Sequence, residues 1–371
     1  MNDDAPGAHG QRPNQADIGL QPMSKISLDE FLSMRISQRC QYFSENNRLL
    51  ALVYAQQFDR PLLSNLFSLA DAIRRLSDSR DGRLFLRALL ADRRAMLYFT
   101  QPSTRTFLSF AAACHILGMN SSNVRDSTTS SEIKGESRED SLRIFSLYHD
   151  LIIMRQPEGG FCEQIAFQML SWPGRKPIIN AGAGMDQHPT QALLDLYTLQ
   201  RCFADSGGLD HKRIMLVGDL KRGRTARSLA YLLTNYSGVE LILAAPENLA
   251  MGEDIKEHLR ENSTPFIETD NMQPYLSKVD AIYLTRIQDE WDQGAKTSMD
   301  YSRFGLRAEH LKSLKPDCFI LHPLPRRQEI ETSIDADRRA VYFDQAQNGM
   351  WVRAALIAHM FAVDEKIISH R

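Results

Sequence analysis

The chain has 371 residues, more than one hydrophobic core usually organises, so two domains are expected. With 44 Lys and Arg against 46 Asp and Glu, the net charge of -2 gives no bulk reason for a nucleic acid or anionic membrane partner, and any phosphate recognition has to be local. No apolar run approaches the roughly 18 to 20 residues of a membrane span, and Cys40, Cys114, Cys162, Cys202 and Cys318 lack the C-x-x-C spacing of a zinc or redox site, reading instead as reduced, mostly buried thiols.

Residues 1 to 24 are rich in Gly, Pro, Asn, Gln and Asp, with Arg12 as their only Lys or Arg, which predicts a disordered tail dispensable for catalysis. Asp3, Asp4 and Asp17 argue against a transit peptide, and no apolar segment resembles a secretory signal, so a cytoplasmic location is expected. Ordered structure is expected to begin near Ser27, where Ser27 and Glu30 have capping-box spacing. Helices over about 45 to 57 and 61 to 77 precede a strand at 95 to 100.

That strand stops at Pro102-Ser103-Thr104-Arg105-Thr106, and the helical spacing of Phe107, Phe110, Ala111, Cys114 and Leu117 puts Ser103 to Thr106 at a helix N-terminus. Free amides, the positive end of the helix dipole, three hydroxyls and a forked guanidinium together make a seat for a phosphate or carboxylate. The competing reading is a plain N-cap beside a solvated arginine. A polar, aperiodic stretch from Asp126 to Ser137 follows and reads as a long loop, in which Ser130 and Lys134 are candidate binding residues.

A helix over 138 to 148 leads to the strand Leu151 to Arg155, and Pro177 to Asn180 gives another; both end polar, as strand ends at a ligand crevice do. In His188-Pro189-Thr190-Gln191, Pro189 suits a first helical turn, so His188 sits at the positive end, which favours a neutral imidazole able to donate to a carbonyl. A satisfied capping histidine is the alternative. From Lys212 onward strands and helices alternate in a second α/β unit, with strands at 214 to 217, 241 to 245, 281 to 285 and 318 to 321. Gly218 to Thr225 has the glycine spacing of a nucleotide-binding loop but Arg224 in place of the lysine, which suits a carboxylate better than a nucleotide. Arg286 and Gln288 end one later strand, and His322-Pro323-Leu324-Pro325 ends another in a stiff loop whose carbonyls can hold an amide NH2. A helix from Gly349 to Val363 can pack back on the first domain.

Ser103-Thr104-Arg105-Thr106, Arg155, His188-Pro189-Thr190-Gln191, Gly223-Arg224-Thr225, Arg286-Ile287-Gln288 and His322-Pro323-Leu324-Pro325 together resemble, in order, the motifs of the transcarbamylase family in its aspartate-using branch. The resemblance covers about residues 28 to 371. It implies two doubly wound parallel-sheet α/β domains joined by interdomain helices: a carbamoyl-phosphate domain over 25 to 204, an aspartate domain over 205 to 344, and a C-terminal helical segment, 345 to 371, returning to the first. The implied reaction transfers the carbamoyl group of carbamoyl phosphate to L-aspartate, an early step of de novo pyrimidine biosynthesis, with no metal or cofactor.

In that family pattern Ser103, Thr104, Arg105 and Thr106 hold the phosphate, while Thr106, Arg155 and His188 polarise the carbonyl. Gln191, Pro323 and Leu324 hold the carbamoyl amide; Arg224, Arg286, Gln288 and Lys134 bind aspartate; and Ser130 and Lys134 come from the neighbouring subunit of a homotrimer. Regulatory chains or a dihydroorotase are further partners such a trimer can take. Gln101, Phe107, Gln156 and Asp289-Glu290-Trp291 depart from the family pattern without removing a direct ligand. An ornithine-type enzyme and an inactive scaffold are the alternatives; the first usually carries His-Cys-Leu-Pro where this chain has His322-Pro323-Leu324-Pro325.

Overall fold

The computed structural model describes residues 26–126, 135–172, 174–184, 187–287 and 301–370, so the tail and the candidates Ser130, Lys134 and Gln288 lie outside the described residues. Helix α1 (Leu28–Ser33) opens with the predicted capping box, Ser27 Oγ accepting from Glu30 N while Glu30 accepts from Ser27 N at 2.7 Å. After α2 (Ile36–Gln41) the expected helix over 45 to 57 does not form. The segment is instead a short hairpin of β1 (Ser44–Glu45) and β2 (Arg48–Leu49), then β3 (Ala51–Leu52) and a 3-10 turn. Asn46 and Asn47 occupy the left-handed region at φ 50° and 60°, which asparagine tolerates and a helix cannot use. Ala51 and Leu52 then pair with a strand more than a hundred residues away, a partner invisible to local periodicity.

Helices α3 (Arg60–Leu76) and α4 (Arg80–Ala88) lead to β4 (Arg94–Phe99) and α5 (Thr104–Ile116). Then follow β5 (Asn120–Val124), α6 (Arg138–Tyr148), β6 (Leu151–Arg155), α7 (Phe161–Ser171) and β7 (Ile178–Asn180). The first sheet is parallel throughout, in the order β3-β7-β6-β4-β5. Its central strands are apolar because helices cover both faces, whereas β5, Asn-Ser-Ser-Asn-Val, is a mostly exposed edge and carries no hydrophobic signal to find.

Helix α8 (Pro189–Cys202) crosses to the second unit: β8 (Arg213–Val217), α9 (Arg224–Leu233), β9 (Glu240–Ala244), α10 (Glu253–Glu261), β10 (Phe266–Thr269), β11 (Ala281–Leu284) and β12 (Phe319–Leu321). This sheet is also parallel, in the order β10-β9-β8-β11-β12. Helix α11 (Tyr342–Met360) starts seven residues before the predicted Gly349, packs on α3, α5 and α8, and is followed by α12 (Asp364–Ser369) on α3. Through α8 and α11 a single apolar core runs from one sheet to the other, joining Leu97 and Ile153 to Ile214 and Leu216. The fold is therefore two doubly wound domains bridged by two helices, and the carboxyl ends of both sheets face one cleft.

Candidate active site

The cleft, of about 470 Å³, is lined from the first domain by Ser103 to Thr106, Arg155, His188 and Gln191, and from the second by Arg224, Arg286 and His322 to Pro325. The pairing of Phe99 with Arg155 across β4 and β6 sets the hydroxyl cluster beside the guanidinium at the point where the strand order reverses. Ser103 is the N-cap of α5, yet its side chain makes no capping bond, unlike Asp59 and Ser79 at the starts of α3 and α4. The plain N-cap reading thereby loses its main support, and the hydroxyl is available to a ligand. Burial lowers the Arg105 pKa.

Arg155 and His188 meet because the chain between them is glycine. Gly182 has φ 103°, and a Cβ there would stand 2.8 Å from both Arg155 Nη1 and His188 Cδ2. His188 caps α8, its Nδ1 accepting from Gln191 N at 3.3 Å, so in the neutral ring the proton lies on Nε2. Arg155 Nη1 is 3.5 Å from that Nε2; two donors side by side present one acceptor position to a ligand oxygen. Arg155 Nη1 also donates to Ala181 O at 3.3 Å, while its buried Nε has no partner among the described residues. Burial, then the charges of Arg224, Arg353 and Arg105, bring the Arg155 guanidinium down to about 9.

His188 is fully buried, and burial followed by Arg155, Arg224 and Arg353 holds its pKa well below the usual histidine value. Its ring is expected to stay neutral from pH 8 down to below 6.5, visible as constant 13Cε1 and 15N shifts. The linkage sign follows. Below 6.5 the unfolded chain takes up a proton that the folded chain refuses, so His188 makes stability fall as pH drops through that value.

From the second domain Arg224 stands at the N-terminus of α9, as its place in the sequence predicts, and reaches across the cleft to donate to the carbonyls of Gly182, at 3.2 Å, and Gly184. Gly218 and Gly223, which give this loop its nucleotide-loop spacing, serve close packing: a Cβ at either would lie about 2.3 Å from Thr285 O or 2.2 Å from Asp219 O. The loop at 322 to 325 is braced. Leu324, at φ 51°, donates its N–H to His322 Nδ1 at 2.7 Å, and His322 Nε2 meets Glu329 at 2.8 Å.

Three cleft-side residues escaped the sequence reading. Arg353 on α11 is 3 % exposed, donates to Ser109 Oγ at 2.7 Å, lies over the Phe110 ring, and leaves its Nε without a partner among the described residues. A lone arginine inside the otherwise apolar run from Met350 to Ala358 was the signal available for it. Gln345 at the cleft wall and Asp195 behind it belong to a hydrogen-bond network that no local pattern announces. Together these features make a two-sided anion site, with hydroxyls, amides and the guanidiniums of Arg105 and Arg155 on one wall and those of Arg224 and Arg286 on the other, suited to an enzyme that joins two anionic ligands.

The chain belongs to the aspartate/ornithine carbamoyltransferase family: residues 51–201 match its carbamoyl-P binding domain and residues 210–360 its Asp/Orn binding domain. It is 39 % identical over 312 residues to aspartate carbamoyltransferase 1, chloroplastic, of Pisum sativum, covering 82 % of this chain and 77 % of that one. It is also 39 % identical to the aspartate carbamoyltransferase catalytic subunit of Clostridium novyi, covering 84 % of this chain and 98 % of that one. Among solved structures it is similar to aspartate transcarbamoylase of Trypanosoma cruzi in complex with carbamoyl phosphate, with a TM-score of 0.74 at 33 % identity over 83 % of this chain and 94 % of that one. The catalytic subunit of M. Jannaschii aspartate transcarbamoylase gives a TM-score of 0.74 at 32 % identity over 85 % and 99 %.

Proposed function

We propose that this chain transfers the carbamoyl group of carbamoyl phosphate to the amine of L-aspartate, giving N-carbamoyl-L-aspartate and phosphate, as a step of de novo pyrimidine biosynthesis. The observation that carries this reading is the convergence of Arg155 and neutral His188 on one acceptor position beside the helix N-terminus at Ser103 to Thr106. The phosphate sits on that N-terminus with Arg105 as its forked clamp, and the carbonyl oxygen lies between Arg155 and His188. When the amine attacks the carbonyl carbon, charge grows on this oxygen, and donors already in place stabilise it without reorganising. The bond to the phosphate oxygen then breaks, and the departing phosphate takes the amine proton. No side-chain nucleophile is needed; holding two anions in register supplies much of the rate.

Arg224 and Arg286 bind the two carboxylates of aspartate, with Gln288 and Lys134 completing that side. The test is a steady-state assay with carbamoyl phosphate and either L-aspartate or L-ornithine. The cationic amine of ornithine meets guanidiniums where a carboxylate is wanted, so its kcat/KM is expected to be lower by at least about 10²-fold. Turnover of ornithine in preference to aspartate would sink the assignment.

The same reading makes the enzyme a homotrimer with shared sites. Helix α6, which follows the stretch containing Ser130 and Lys134, leaves Ile144, Leu147 and Tyr148 exposed at 40 %, 67 % and 60 %, an apolar face of the kind that marks subunit contacts. Mixing Lys134→Ala chains with Arg105→Ala chains tests it. After random exchange about one site in four pairs an intact anion seat with an intact neighbouring lysine, so activity returns to roughly a quarter of the unaltered level. Exchange verified by mass without recovered activity would place Lys134 within its own site or outside any. The five cysteines are free thiols, Cys114, Cys162 and Cys318 buried and Cys40 and Cys202 partly so, which suits a reducing compartment such as the cytoplasm.

A further inference from the structure

Asp195 is a fully buried carboxylate with no part in the reaction just described. It lies one helical turn beyond Gln191 on α8, and donors from three elements converge on it. Gln191 Nε2 and Gln345 Nε2, on α8 and α11, donate to Oδ1 at 2.8 and 2.6 Å, and the Tyr283 hydroxyl, on β11, donates to Oδ2 at 2.7 Å. An ionised carboxylate accepts and never donates, so each amide facing it must present its NH2 and turn its oxygen the other way. For Gln345 that oxygen accepts from His322 N at 2.9 Å, which fixes the start of the loop carrying Pro323 and Leu324. Gln191 lines the cleft, and with its Nε2 committed to Asp195 its oxygen is the end left for a ligand there.

Packing alone would be better served by a neutral residue. Burial pushes the Asp195 carboxyl up from 3.8 to about 7, against the hydrogen bonds of Tyr283, Gln345 and Gln191 and the charge of Arg353. Because the folded chain then holds a proton that the unfolded chain releases, stability falls as pH rises across that interval. Both amides meet Oδ1, so a proton held by the carboxyl sits on Oδ2 beside Tyr283 and leaves their orientation unchanged; a polar group buried at such a cost fits a demand for that orientation.

We propose that Asp195 is a positioning residue: through Gln191 directly and through Gln345 at the 322 to 325 loop, it turns the acceptors of the cleft toward the amine of carbamoyl phosphate and so selects a carbamoyl over an acetyl group. This rests on the carbamoyl-transfer reading above. Acetyl phosphate, with a methyl group where carbamoyl phosphate has its amine, is the probe, measured as a competitive inhibitor. Asp195→Ala is expected to raise the KM for carbamoyl phosphate by at least about tenfold and to leave the inhibition constant of acetyl phosphate within about twofold, because only the first ligand has hydrogens to donate to the misplaced oxygens. Asp195→Asn is expected to recover the selectivity lost in the alanine chain: its Oδ1 can accept from both amides while its Nδ2 donates to the Tyr283 oxygen.

Should the alanine chain not fold, Asp195→Ser, which leaves room for a water to satisfy Tyr283 and Gln345, is read in its place. Equal weakening of both phosphates, or weakening of neither, overturns the proposal. Turnover of carbamoyl phosphate and L-aspartate by the unaltered chain is measured alongside. Its absence overturns the underlying reading, whereas turnover combined with unchanged selectivity in the variants removes only the role of Asp195.

Discussion

Replacing Arg105 by alanine is expected to lower kcat by roughly 10³-fold while the melting temperature stays close to that of the unaltered chain. The side chain stands at the N-terminus of α5 on the open side of the cleft and fills no part of the core, so its loss leaves no cavity. In the proposed reaction it meets the phosphate oxygens as the bond to the carbamoyl carbon breaks and negative charge gathers on the leaving group. A fork of two parallel N–H donors does this in a fixed geometry, and lysine, a single point charge, is expected to recover only part of the rate. Steady-state kinetics with circular dichroism on the same samples decides it. A fall of less than about tenfold with the fold intact would mean that the helix amides and hydroxyls hold the phosphate without the arginine.

Arg155→Ala is expected to cost about 10²-fold to 10³-fold in kcat, with a smaller change in the KM for carbamoyl phosphate, because the donor it removes matters most when the carbonyl oxygen becomes an oxyanion. Stability should move the other way. Arg155 is partly buried against Arg224, Arg353 and Arg105, and its pKa, brought down to about 9, reports how unwelcome its charge is without a bound anion. Removing it relieves that repulsion, so the alanine chain should melt at a higher temperature than the parent in the absence of ligands. It also removes the largest charge holding the His188 pKa down, so the histidine should titrate nearer its ordinary value in the variant. A variant that loses activity and stability together would show that Arg155 holds the cleft in shape and is not chiefly a donor to the substrate. By the same electrostatics, phosphate alone should raise the melting temperature of the unaltered chain, because it neutralises guanidiniums that repel one another.

The parts of this protein legible in its sequence are those fixed by chain neighbours. An apolar run broken at Pro102 and followed by helical spacing is enough to place Ser103 to Thr106 at a helix start, and Pro189 does the same for His188. The buried central strands β4, β6, β8 and β11 announce themselves because both of their faces need apolar residues. The edge strands β5 and β10 are largely exposed and carry no such demand, which is why they went unseen, and the pairing of Ala51 and Leu52 with β7 overrode any helical preference between 45 and 57. Only the tertiary structure decided how the cleft works. That Gly182 lets Arg155 and His188 close on one point, that Arg353 reaches the cleft from near the end of the chain, and that Asp195 gathers Gln191, Gln345 and Tyr283 are meetings of residues far apart in sequence. Local pattern records which face of an element is buried; it does not record what lies opposite that face, and the charge, burial and hydrogen-bond direction that tune a site all depend on what lies opposite.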